Sequence, residues 1–182
     1  MRSSTALTAL FFTFLNLTSG LALLGDALSP RACTNILQNA GFETGSLDPW
    51  VSYARGGWQS RDISQPNSSG KRVFRAVTSS PLRAWTILAQ NDINLSAGQD
   101  IEVSATLSSQ RSDQESVFFE IFVGMENCGG QEYELKGTAE RKVEARCKVQ
   151  GPAPFVFSVT VWSNGGGERI AEIGDLLLGV GC

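Results

Sequence analysis

The chain contains no histidine, so the base on which most serine and cysteine triads depend is missing, and no G-x-S-x-G elbow replaces it. Carboxylates remain. A glycosidase needs only two of them about 5 to 10 Å apart, and Glu102, Glu120 and Asp113 are the candidates. A chain with 18 acidic residues offers such candidates whatever it does, so the expectation is a protein that is not an enzyme. The four cysteines are Cys33, Cys128, Cys147 and Cys182. With no histidine and no CxxC spacing they make a poor zinc site, whereas an even number in an oxidising compartment reads as a disulfide set. Of the three pairings, Cys33 with Cys182 and Cys128 with Cys147 is favoured. The first ties the start of the mature chain to its last residue, and the second closes a local excursion between two strand-like segments. Chain entropy assigns roughly 5 kcal/mol to the long loop and roughly 3 to the short one.

Alternation of apolar and polar residues dominates the elements that carry these groups. Ile101, Val103, Ala105 and Leu107 fall on one face of a strand, and Glu102, Ser104 and Thr106 on the other. Val117, Phe119, Ile121 and Val123 repeat the scheme, which leaves Phe118, Glu120 and Phe122 opposite them. From Phe155 to Trp162, the residues Phe155, Phe157, Val159 and Val161 turn inward, against Ser158, Thr160 and Trp162. Further strands are predicted over Arg72 to Thr78, Leu82 to Gln90, Tyr133 to Gly137, Arg141 to Val149 and Ile170 to Gly179, separated by glycine- and asparagine-rich turns. Past Leu24 no segment has the spacing of an amphipathic helix over three turns. The expected fold is all-β, a two-sheet antiparallel jelly-roll sandwich, which manages its sheet edges and brings the chain ends together.

Ahead of these strands, Arg2 precedes an uncharged apolar stretch that runs to Leu24. That is a signal-peptide outline, expected over 1–22 and cleaved near position 20 to 22. A membrane anchor competes, but Asn16, Thr18, Ser19 and Gly20 interrupt the apolar run. A short segment, 23–32, follows, in which Ser29-Pro30-Arg31 is a second candidate for trimming. Residues 33–182 then form a single domain of about 150 residues with room for one core. The protein is expected to be secreted, extracellular and monomeric, with no membrane contact after cleavage. A net charge of −3 without a basic cluster argues against nucleic acid as a partner. Asn67 and Asn94 head glycosylation sequons and should face solvent; the match at Asn16 lies in the segment expected to be removed.

The run from Thr34 to Trp50, with Asn39-Ala40-Gly41-Phe42-Glu43 followed by Pro49-Trp50, resembles the opening of CenC-like carbohydrate-binding modules. Leu88-Ala89-Gln90 with Leu95-Ser96-Ala97-Gly98 resembles the middle of that family, and Ile173-Gly174-Asp175-Leu176-Leu177-Leu178 its closing strand. The single-domain form with paired cysteines is similar to secreted fungal versions of the module. The resemblance implies a galactose-binding-like jelly roll and non-catalytic binding of a cell-wall or plant polysaccharide. No cofactor is required, although some members hold a structural calcium ion. Here Gly174 stands where the family has the first of two aspartates, which puts Asp175 on the other face of a regular strand. Glu43, Asp175 and backbone carbonyls could ligate the ion if a bulge re-aims Asp175; otherwise they are a turn glutamate and a solvated aspartate.

Sugars are held by aromatic rings stacked on their apolar faces, beside polar groups that fix the hydroxyls. Phe118, Phe122 and Trp162, with Glu120 and Thr160, form such a platform if their strands are neighbours. Alternatively, Phe118 and Phe122 cover the second sheet, since period-two reading does not say which face is inner. Trp85, on a face shared with Arg83, is a further ligand candidate. Tyr53 and Trp58, flanking Arg55-Gly56-Gly57, suggest a glycine-rich binding edge, and Trp50 reads as core. The competing reading is a secreted wall, surface or host-interaction protein that keeps the jelly roll without binding sugar.

Overall fold

The computed structural model describes residues 33–66, 70–109, 111–128 and 130–182. The expected leader 1–22, the segment 23–32 and the Asn67 sequon lie outside the described residues. Twelve strands follow in order: β1 (Thr34–Asn35), β2 (Val51–Arg55), β3 (Trp58–Ile63), β4 (Phe74–Thr78), β5 (Ala84–Ile93), β6 (Asp100–Ser108), β7 (Val117–Val123), β8 (Glu126–Asn127), β9 (Tyr133–Leu135), β10 (Glu140–Lys148), β11 (Phe155–Ser163) and β12 (Arg169–Val180). They form two antiparallel sheets. The first runs β10-β6-β12-β4-β3 with β1 beside β12, and the second runs β2-β5-β11-β7-β8 with β9 beside β7. The result is the all-β jelly-roll sandwich read from the sequence.

The alternating strands bury the faces that alternation assigns to them. Val117, Phe119, Ile121 and Val123 meet Phe155, Phe157, Val159 and Val161 from their own sheet and Ile101, Val103, Ala105 and Leu107 from the other, all buried in one core. Such apolar burial stabilises a domain by about 25 cal/mol per Å² removed from water. Trp50 closes one end of this core, as its position after Pro49 suggests. Its ring lies 5.9 Å from Phe42 and 6.0 Å from Phe157, and its Nε1 donates to the carbonyls of Gln38 and Asn39 at 3.0 and 3.1 Å. Asn39 holds the loop that delivers it, with Nδ2 donating to the carbonyls of Ser46 and Asp48 and Oδ1 accepting from the Thr44 amide. The Asn-x-Gly-Phe-Glu and Pro-Trp residues are therefore scaffold, a stopper for the sandwich.

Four strands were not read from the sequence: the two-residue β1 and β8, and β2 and β3. β2 and β3 carry too little alternation to stand out, and their sequence reads as a glycine-rich loop. Instead the chain crosses between sheets through Gly56 and Gly57. Gly56 has φ +90°, and a Cβ there would lie 2.7 Å from that of Ala84, so this crossover accepts no side chain. Tyr53 and Trp58 are consequently on different sheets, which dissolves the expected binding edge: Trp58 packs against the core, while Tyr53 is 55% exposed. Arg61 on β3 reaches back to the carbonyl and hydroxyl of Ser52 on β2 and bridges the sheets at that edge.

At the opposite edge the bridge is covalent. Cys128, just past β8, is bonded to Cys147 on β10, so this disulfide joins the two sheets. Cys33 is bonded to Cys182 beside the β1–β12 pair. A side chain at Gly179 would press on both of those cysteines, with its Cβ 3.0 Å from the Cys182 sulfur and from the Cys33 Cβ.

Candidate functional site

The register of the second sheet places the candidate aromatic residues on its outer face. On β11, Trp162 pairs with Trp85 of β5 on one side and with Phe118 of β7 on the other. Arg55 of β2 continues this row beyond Trp85, and Glu134 of β9 continues it beyond Phe118. The next row reads Tyr53, Ile87, Thr160, Glu120, and the next Val51, Ala89, Ser158, Phe122, Asn127. Residues directly opposite in neighbouring strands share a face, and the core set of each strand occupies the other one. Trp162, Phe118, Phe122, Glu120, Thr160 and Trp85 are thus brought together, half-buried, on one surface. Phe118 and Phe122 do not cover the opposing sheet.

The rings on this surface differ in what they offer. Phe118 and Trp162 are stacked, centroids 4.2 Å apart and planes 14° from parallel, and the Arg83 guanidinium carbon lies 4.3 Å from the Trp162 ring centroid. Phe118 comes from β7 and Arg83 from the segment leading into β5, on opposite sides of β11, so the indole stands on edge with both π-faces occupied. Trp162 is a post rather than a flat plate. Trp85, half-buried, and Tyr53, exposed, have no ring partner among the described residues.

Polar groups frame the rings. Glu120 accepts from Asn127 Nδ2 at 3.3 Å, and Glu134 from the Ser116 hydroxyl at 2.5 Å. Glu132 joins them at this end of the face. Its carboxyl titrates above the usual glutamate range, first because it is partly desolvated and then because Glu120 and Glu134 repel its charge; Arg83 opposes the shift. Acidic groups gather on the β7–β9 side and the arginines Arg55 and Arg83 on the β2–β5 side.

The carboxylates considered for hydrolysis do not converge. Glu102 lies on the outer face of the first sheet, paired with Arg146 at 3.0 Å, and Glu120 on the outer face of the second. Asp113 sits in the loop before β7, where hydrogen bonds from Arg111 hold its carboxyl below the usual range.

Glu43 and Asp175 border one cavity on the first sheet's side. The bulge is present: the β12–β6 register shifts between Gly174 and Leu177, and Asp175 takes φ +46°. It turns the carboxylate toward Thr106, whose hydroxyl donates at 3.2 Å, and toward Lys71, whose ammonium lies 2.9 Å away. Arg72 lines the same cavity, and Glu43 turns back to accept from the Gly41 amide. The Asp175 carboxylate is thus engaged by Lys71 and Thr106, whereas a calcium ion gathers six to eight oxygens. Asn94 is exposed at the end of β5, as a glycan acceptor must be.

Neither a protein-family profile nor a curated protein sequence matches the chain. Solved structures do. The xylan-binding domain CBM22-1 from Paenibacillus barcinonensis superposes with a TM-score of 0.58 at 11% identity over 82% of this chain and 96% of that one. TmCBM61, solved with β-1,4-galactotriose, does so with a TM-score of 0.52 at 18% identity over 80% and 97%. A cyclase from Fischerella sp. TAU, bound to an indolyl butanone, reaches a TM-score of 0.52 at 16% identity over 81% and 96%. At these identities the likeness concerns the fold: this chain has the jelly-roll sandwich of carbohydrate-binding modules, a sandwich also found in a cyclase.

Proposed function

We propose that the chain is a secreted, non-catalytic carbohydrate-binding module whose polysaccharide ligand lies across the open face of the second sheet and needs no cofactor. One observation carries the reading. Three aromatic side chains, Trp85, Trp162 and Phe118, share one register row on that face, with Tyr53 diagonal to Trp85 and with Thr160 and Glu120 in the next row. A row across strands about 4.8 Å apart spans about 14 Å from β2 to β7, the extent of a short oligosaccharide. The sugar's C–H faces would lie on Trp85 and Tyr53, and its hydroxyls would meet Thr160 and Glu120. Two disulfides and the exposed Asn94 sequon support an extracellular protein.

One observation favours the second reading, a secreted surface protein that keeps the jelly roll without sugar binding: the Phe118 and Trp162 rings stack on each other. Retention of the purified protein on cellulose, chitin, β-glucan and xylan, with Trp85→Ala beside the wild type, separates the two. Retention on one polymer that Trp85→Ala reduces at least tenfold, with an unchanged circular dichroism spectrum, is the expected result. A folded, disulfide-bonded protein that passes through every matrix would favour the second reading.

A further inference from the structure

Trp85 is bordered by two guanidinium groups. Arg55 stands opposite it across the β2–β5 pair, and Arg83, two residues earlier in the chain, rests on the neighbouring Trp162 ring. Among the described residues neither arginine forms an ion pair with a carboxylate, whereas Arg75 pairs with Glu172, Arg111 with Asp113 and Glu168, Arg146 with Glu102, and Lys148 with Asp100. Two arginines without an ion pair among the described residues therefore stand near the half-buried Trp85, and Arg83 also acts electrostatically on Glu132. A guanidinium presents a planar fork of donors that matches a carboxylate bidentately. Stacking on Trp162 already orients the Arg83 plane, so less rotamer freedom is lost when a ligand engages it.

We infer that the ligand is an acidic glycan, bearing a uronosyl residue that stacks on Trp85 with its carboxylate held between Arg55 and Arg83. This inference rests on the carbohydrate-binding reading of the same face. The far end of the face limits the ligand further. Glu120, Glu132 and Glu134 repel a second carboxylate on the β7–β9 side, so sugars lying there are neutral. A neutral backbone with uronosyl branches fits this division, and a uniform polyuronate does not.

The probe is glucuronoxylan, measured by isothermal titration calorimetry against the same polymer with its carboxyl groups reduced to hydroxyls. The native polymer is expected to bind about tenfold more tightly than the reduced one, as one charged hydrogen-bonded contact warrants, and added salt should erode the difference. Arg55→Gln and Arg83→Gln should each lower that ratio. Arg55→Gln is the cleaner test, because Arg83→Gln also removes the contact with Trp162. Equal affinity for native and reduced polymer, with both lost in Trp85→Ala, overturns the uronate and leaves the carbohydrate face standing. No binding of either polymer, or of any neutral glycan, overturns the face and the uronate together. Dextran sulfate binding as tightly as glucuronoxylan, and indifferent to Trp85→Ala, would mean charge attraction alone and also overturns the inference.

Discussion

Trp85 and Trp162 face each other across one strand pair, yet their substitution should have different consequences. Trp162 is clamped between Phe118 and Arg83. An aromatic stack and a cation–π contact together are worth about 1–2 kcal/mol. Trp162→Ala is therefore expected to lower thermal stability by that amount and to weaken glycan binding indirectly, by freeing Arg83 and Phe118. Trp85→Ala should abolish binding and leave the melting temperature close to that of the wild type. Paired melts and titrations of the two variants check this, and equal losses of stability would contradict the division of roles. Glu132 provides a pH test. Its folded-state proton affinity exceeds that of the unfolded chain, so its charge opposes folding above the folded pKa, and the penalty vanishes below the unfolded value of about 4.3. Glu132→Gln should slightly raise the melting temperature at neutral pH and leave it unchanged near about pH 3.5. The effect is small because the side chain is solvent-screened.

Among the elements, the two edges of the sandwich are fastened differently. Arg61 and the glycine crossover hold the β2–β3 edge, and the Cys128–Cys147 disulfide holds the edge formed by β8 and β10. Closing a loop with a sequence separation of 19 stabilises by about 3 kcal/mol, so the double variant Cys128→Ala, Cys147→Ala should melt about 6–12 °C lower. β7, which carries Phe118 and Glu120, lies one strand in from that edge. Loss of glycan affinity beyond what reduced stability explains would show that the bond also positions the acidic end of the face. The bulge in β12 is the other device of this kind. It turns Asp175 onto Lys71 and Thr106, and the pair occupies the place where the family resemblance implied a metal. Chelation should therefore leave the melting temperature unchanged, whereas a rise on adding calcium would show that the cavity takes an ion after displacing Lys71.

Across the whole molecule, the sandwich separates support from recognition. The first sheet's outer face carries several ion pairs, including Arg75 with Glu172, Arg146 with Glu102 and Lys142 with Glu144, while the second sheet's outer face carries aromatic rings and two arginines that form no ion pair among the described residues. Glycosylation at Asn94, where β5 ends, is expected to leave binding unaltered, because the row of rings crosses β5 near its other end, at Trp85; comparison of glycosylated and enzymatically deglycosylated protein checks it. The strands over 101–107, 117–123 and 155–162 and their inner faces were readable from the chain alone, because an alternation of period two assigns each side chain to one of two faces. The fold class followed from their number and from the absence of helical spacing. β2 and β3 were not readable, since edge strands with one exposed side need little apolar content. Alternation also leaves open which strands are neighbours, because pairing joins residues far apart in the chain. Only the assembled sheet put Trp85, Trp162 and Phe118 in one row, set Trp162 between Phe118 and Arg83, and placed Arg55 opposite Trp85. Those contacts depend on register between strands distant in sequence, and register is fixed when the two sheets close on a common core.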